Sequence, residues 1–220
     1  MTKMMRTRTR SEEVVGHLRA YWDGLRKGRL VPSRTDIDPR GIETTLHYTY
    51  IIERIAPGMG RFRVAGMHLN DLMGMEVRGM PLSSLFEPAA RKGLSDACEA
   101  VFNSPAIAEF DLRSDGGVGR PPLQAKLLIL PLSSDLGDIS RAMGCLVCEQ
   151  APEDLGRAPR RFVTDRVTLE ELQPANPHTD NMAKTPDAPK AAPARPLRPE
   201  APPLSPEARR ALFRIVSKKE

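Results

Sequence analysis

The spacing of apolar residues changes character several times along the chain, and each change predicts an element. Val14, Leu18, Tyr21 and Leu25 recur at helical spacing, and Val15 and Trp22 widen the stripe. Residues 11–26 therefore read as an amphipathic helix. Ser11 is placed to cap it, Glu12 and Glu13 suit the positive end of its dipole, and Gly28 lies just past its end. Residues 30–46 carry Pro32, Asp38-Pro39 and Gly41 and read as a loop with one short helical turn. "HYTYII" at 47–52 and "RFRVA" at 61–65 are rich in β-formers and read as strands, joined by a turn through Pro57, Gly58 and Gly60.

After Gly66 the period becomes helical again. Leu69, Leu72 and Met73 share one face of a two-turn helix, and Gly74 is the natural residue for the left-handed position that ends it. Gly79 and Pro81 make the next turn, and "SSLF" at 83–86 predicts another short helix. A longer helix begins near Pro88, with Ala90, Leu94, Ala97, Cys98 and Val101 on one face, and ends near Pro105. Three strands follow at 106–112, 123–130 and 142–149, the first two joined by the hairpin loop "SDGGVGR" at 114–120. Two strands, then helices, then three strands imply an α+β fold, an antiparallel sheet with helices on one face.

Two apolar surfaces lack partners in this scheme. Met143, Cys145 and Val147 alternate with Gly144, Leu146 and Cys148, so the last strand is apolar on both faces and its outer face needs a cover. The helix stripe containing Leu18 and Trp22 needs something to cover. The two are expected to meet, within one chain or across a homodimer, which makes Leu18 and Trp22 interaction candidates.

Composition narrows the function classes. The chain has 220 residues, 40% hydrophobic, with 21 prolines and 5% aromatics, so part of it is not expected to pack. No apolar run approaches membrane-spanning length, and no signal h-region follows the basic start "MTKMMRTRTR". Three cysteines without framework spacing fit a reducing, cytoplasmic interior. The net charge of +5 belongs to the flanks: residues 1–30 carry +5, 31–150 carry −3 and 151–220 carry +3. A nucleic-acid-binding domain gathers its basic residues on the folded part, so nucleic acid is not the expected partner.

Residue patterns for chemistry are weak. Gly66, Gly74 and Gly79 match neither the dinucleotide nor the P-loop spacing and read as punctuation of turns and helix ends. "GGVG" at 116–119 lies between strands, so no helix N-terminus is available there to hold an anion. Cys145 and Cys148 form C-x-x-C, but on a strand they point to opposite faces, and with Cys98 they read as buried and inert. No nucleophile elbow or H-E-x-x-H occurs, so no catalytic residue, metal site or enzyme activity is expected.

The segment "RFRVAGMHLNDLMGMEVRGMPLSSLF", with "LVPSRTDIDP" upstream, carries a family resemblance. Arg63, Ala65, Gly66, Leu69, Leu72, Gly74, Gly79, Leu85 and Phe86 resemble the signature of small stand-alone bacterial PAS proteins, and the element order from about 45 to 150 is similar to that of a PAS domain. The resemblance implies a five-stranded antiparallel sheet and a ligand cavity under the longer helix. Its candidate lining is His68, Leu69, Leu72, Phe86, Ala90, Leu94, Ala97 and Leu127, suited to a small apolar ligand. His68 itself reads first as a surface or capping residue. Haem-binding PAS domains use a histidine on the longer helix and flavin-binding members an Asn-Cys-Arg-Phe-Leu-Gln motif. Residues 88–103 hold no histidine and the motif is absent, so no cofactor is expected.

The expected organisation is a basic flexible arm at 1–10, an amphipathic helix at 11–28, a PAS-like domain at 29–155 and a linker at 156–204, Pro-rich and disordered from 173. "SPEARRALFRIVSKKE" at 205–220 reads as a basic amphipathic helix, with Leu212, Phe213 and Ile215 as interaction candidates for a protein or the surface of an anionic membrane. The functional expectation is a non-enzymatic, PAS-type sensory, ligand-binding or protein-interaction module in bacterial signalling, acting as a homodimer through protein partners. The alternative is a nucleic-acid-associated regulator using the basic "RTRTR" arm.

Overall fold

Alternating inward and outward side chains make a single antiparallel sheet of six strands, in the order β2-β1-β5-β4-β3-β6. The computed structural model describes residues 8–173. The chain divides into two units at Asn176, and all described residues fall in the first. The strands are β1 (Thr49–Ala56), β2 (Met59–Ala65), β3 (Ala106–Ser114), β4 (Leu123–Leu132), β5 (Arg141–Cys148) and β6 (Val163–Glu171). The helices are α1 (Arg10–Arg26), α2 (Met67–Met73) and α3 (Arg91–Asn103), with 3-10 turns between them.

The sheet separates two apolar layers. On the inner face α2, α3 and the 3-10 turns cover Tyr50, Ile52, Phe62, Phe110, Leu127 and Leu146. On the outer face α1 lays Val14, Val15, Leu18 and Trp22 over Leu128, Leu130, Met143, Cys145 and Val147. The unpartnered helix stripe and the uncovered strand face thus meet within one chain. The Trp22 indole N–H donates to the Pro131 carbonyl at 2.9 Å, fixing the seam, and the Arg26 guanidinium lies over its ring. Leu18 and Trp22 are fully buried here, so they serve the chain's own fold and are not presented to a partner.

Backbone details explain several boundaries. The capping residue of α1 is Thr9 rather than Ser11: its Oγ1 accepts from the Glu12 N–H and its own N–H donates to the Glu12 carboxylate. Ser11 instead turns inward and donates to Glu149. Gly74 ends α2 in the left-handed conformation, φ 69°, where its N–H reaches the Asn70 carbonyl. Gly144 has a different reason: a Cβ there would lie 1.9 Å from the Leu128 carbonyl oxygen, against the Tyr50 phenol that donates to the same oxygen.

Three expectations need correction. The stretch 30–46, read as a loop with one short helical turn, holds more helix than that: Pro39–Tyr48 is a 3-10 segment kinked at Ile42, so β1 begins at Thr49 and not at His47. The sheet has six strands instead of five. The sixth lies in the stretch read as linker, so the folded region runs to Glu171 and not to 155. β6 was illegible because it buries no face of its own; main-chain hydrogen bonds to β3, from Ala106↔Glu171 to Arg113↔Val163, hold it in place. The basic arm's first seven residues, the Pro-rich tail and the helix at 205–220, with Leu212, Phe213 and Ile215, lie outside the described residues.

Candidate functional site

Seven of the eight candidate lining residues, all but His68, converge on the inner face, but they meet as packed core. Helix α2 supplies Leu69 and Leu72, α3 supplies Leu94 and Ala97, and β4 supplies Leu127, all in one cluster with Phe86. Ala90 packs against it, half-buried. The space between these elements is taken up by aromatic side chains: Phe62, Phe110 and Phe162 from elsewhere in the chain and Phe102 of α3 are all buried there, and Phe86 and Phe110 meet edge-on at 6.3 Å. A cleft of about 290 Å³ between the β1–β2 turn and α3 touches the candidate set only at Leu94.

His68 stands apart from this apolar group. It is 1% exposed, so it is neither a surface residue nor a cap; Gly66 occupies the N-cap position of α2. Its Nε2 accepts from the Cys148 backbone N–H at 3.3 Å, which leaves the proton of the neutral ring on Nδ1. That Nδ1 has no hydrogen-bond partner among the described residues. Tyr48 flanks the imidazole edge-on at 5.0 Å, and the His47 ring lies 6.1 Å away. Burial, with smaller contributions from His47 and Arg10, pushes its pKa down to about 4, so it is neutral at physiological pH.

The cysteines are equally shielded. Cys145 faces the outer layer and Cys148 the inner one, as strand alternation requires, and Cys98 lies on the inner face of α3. All three are free thiols, and burial pushes Cys98 and Cys148 up to about 12 and Cys145 further still. A thiolate is the reactive form, so none is poised as a nucleophile.

A roomier site lies on the outer face, where α1 leaves β1 and β2 uncovered. The 3-10 segment Pro39–Tyr48 crosses this end of the sheet without filling it. Between them is a cavity of about 700 Å³. Ile42 and Leu46 of that segment form one wall, Ile51, Val64 and Met143 form the sheet side, and Met67 stands at the mouth. Leu46, Val64 and Met67 remain 43%, 48% and 59% exposed, so apolar surface here is not satisfied by the chain itself. Arg34, Glu43 and His47 supply polar groups at the same cavity, and the Arg34 guanidinium has no side-chain partner among the described residues. Sequence reasoning missed this site because its walls come from a segment read as loop; Ile37, Ile42 and Leu46 follow no regular period.

No group of three or more metal-ligating side chains occurs among the described residues, and no helix among them is long and apolar enough to cross a membrane. A family model described as "PAS domain" matches residues 10–147, more than half of the chain. No curated protein matches. Similar solved structures include the light-state structure of the blue-light photoreceptor Aureochrome1 LOV, 12% identical, covering 49% of this chain and 85% of that one, with a TM-score of 0.34. An RNA-binding light-oxygen-voltage receptor is 16% identical over 50% of this chain and 32% of its own, with a TM-score of 0.36. A light-oxygen-voltage domain described with a flavin analogue is 14% identical over 50% of this chain and 82% of its own, with a TM-score of 0.36.

Proposed function

This chain belongs to the PAS domain family, and from that premise we propose that it is a non-enzymatic sensory module that binds a small apolar ligand in the outer-face cavity and signals through protein partners. Family membership alone does not say what is bound, since one fold hosts many functions. The observation that carries the reading is the cavity of about 700 Å³ walled by Ile42, Ile51, Val64 and Met143, with Leu46 and Met67 exposed at its mouth. Its size falls within the range of small-molecule sites, about 300–1,000 Å³. The inner face, where the family resemblance placed the ligand, is occupied by the chain's own phenylalanines.

The outer cavity borders the 3-10 segment and shares Ile42, Ile51 and Met143 with the layer under α1. A ligand there touches the packing that holds α1, which gives binding a route to the surface that partners meet. Native mass spectrometry of freshly purified full-length protein tests this directly. A small-molecule adduct is expected, on a dimeric mass, and Val64→Trp, which fills the cavity from the sheet side, should abolish it. Absence of any adduct, together with no saturable binding of an apolar dye that Val64→Trp removes, would refute the ligand site.

A further inference from the structure

Arg160 is a fully buried arginine without a counter-charge. It is 1% exposed, and its guanidinium donates to the Leu155 carbonyl at 2.8 Å, the Pro121 carbonyl at 2.6 Å and the Ser114 hydroxyl at 3.2 Å. All three acceptors are neutral. No carboxylate among the described residues pairs with it, and burial, with a smaller contribution from Arg120, lowers its pKa against an opposing effect of the Cys148 thiol. A buried charge that is hydrogen-bonded yet not neutralised is costly, and proteins ordinarily pair such groups.

The residue lines a cleft of about 340 Å³ where the end of β3, the β3–β4 loop and the segment before β6 converge. Arg113, Arg120 and Arg161 line the same cleft, against the two acids Glu87 and Asp115. Arg113 is already engaged by Asp115 and Asp165. Arg120 donates only to a neutral carbonyl, that of Arg157, and Arg161 is exposed. The lining therefore holds four guanidinium groups and two carboxylates, and with Asp165, which pairs with Arg113 from outside it, the excess is one positive charge. Low-dielectric walls concentrate that potential inside the cleft.

We propose that this cleft is an anion site for a phosphorylated small molecule, its phosphoryl group taken by Arg120, Arg160 and Arg161. A phosphomonoester carries about −1.5 to −2 charges at neutral pH, opposite in sign to the excess in the cleft. The planar fork of arginine suits its oxygens, and Arg160 is pre-positioned by its three existing hydrogen bonds. The cleft lies at the β3–β6 edge of the sheet, shares no residue with the outer-face cavity, and does not depend on that cavity binding anything.

The test uses full-length protein in phosphate-free buffer. Calorimetry and thermal melting with inorganic phosphate, glucose 6-phosphate and a nucleoside 5′-monophosphate should show saturable binding and a rise in Tm, whereas glucose should give neither. Phosphatidylcholine vesicles with and without phosphatidic acid separate a lipid headgroup from a free phosphate, and recruitment only by phosphatidic acid would assign the site to a lipid. Arg120→Glu with Arg161→Glu changes two exposed side chains outside the core and should weaken binding by about tenfold or more, a change of about 1.4 kcal/mol, at an unchanged fold. The proposal is overturned if no phosphorylated probe binds, or if the double variant binds them as well as the parent does. Destabilisation by Arg160→Met without any phosphate response would make Arg160 a purely structural clamp.

Discussion

At the scale of single residues, burial without full compensation is what marks this chain. His68 illustrates the consequence for pH. Its imidazole titrates near 4 in the folded chain against an ordinary 6.5, because burial disfavours the charged form. Above pH 6.5 the ring is neutral in both folded and unfolded chains, and its contribution is fully present. As pH falls from 6.5 towards 4, the unfolded chain takes up a proton that the folded one refuses, so stability is lost through that window. The loss amounts to about 3 kcal/mol at most, at about 1.4 kcal/mol per pH unit. Urea unfolding at pH 7.5 and pH 4.5 should therefore show a larger drop for the parent than for His68→Gln. Equal drops would mean that the ring is solvated in the folded state.

At the scale of elements, the docking of α1 carries the clearest prediction. Leu18 and Trp22 are buried against β4 and β5, and deleting such side chains typically costs about 2–5 kcal/mol each. Leu18→Asp with Trp22→Asp adds two carboxylates to an apolar layer, and the combined loss should reach the whole stability of an ordinary domain, about 5–15 kcal/mol. Circular dichroism should show a variant that is unfolded or melts far below the parent, while Arg19→Ala, which removes only a partly exposed ion pair with Glu170, changes little.

The same elements show what was legible beforehand. Helices α1, α2 and α3 were readable because Val14–Leu18–Trp22, Leu69–Leu72–Met73 and Leu94–Ala97–Val101 keep a helical period against one face of the sheet. β4 and β5 were readable as apolar runs because they are buried on both sides. β6 was not, since Asp165, Arg166, Glu170 and Glu171 belong to an edge strand, where charge guards against pairing with other chains and main-chain bonds do the holding. The candidate pocket was legible only in part. The apolar character of Leu69, Leu72, Leu94 and Leu127 was plain, but whether they enclose a space depends on where Phe62, Phe110 and Phe162 arrive, and no local period encodes that.

At the scale of the whole molecule, the two apolar layers are not independent. β4 and β5 belong to both: Leu127, Ile129 and Leu146 face inward, while Leu128, Leu130 and Val147 face outward. Neither layer can be lost without exposing strands that the other also needs, so the folded region should open as one unit. Hydrogen exchange should find the amides of β4 and β5 slowest and exchanging together, with those of edge strand β6 faster. Exchange of α1 well ahead of α3, at a rate unlike that of the strands, would mean that the layers open one at a time.

Trp22 gives this arrangement an optical consequence. The chain contains one tryptophan, and it lies in the outer layer with its indole bonded to Pro131. Intrinsic tryptophan emission therefore comes from a single known place, the seam between α1 and the sheet, without any label. Release of α1 shifts that emission to the red as the indole meets water. A ligand entering the outer cavity reaches the same layer through Ile42 and Met143, so it too changes the signal. An anion at Arg160 lies at the other edge of the sheet, among residues that share nothing with that layer, and leaves the emission colour as it was.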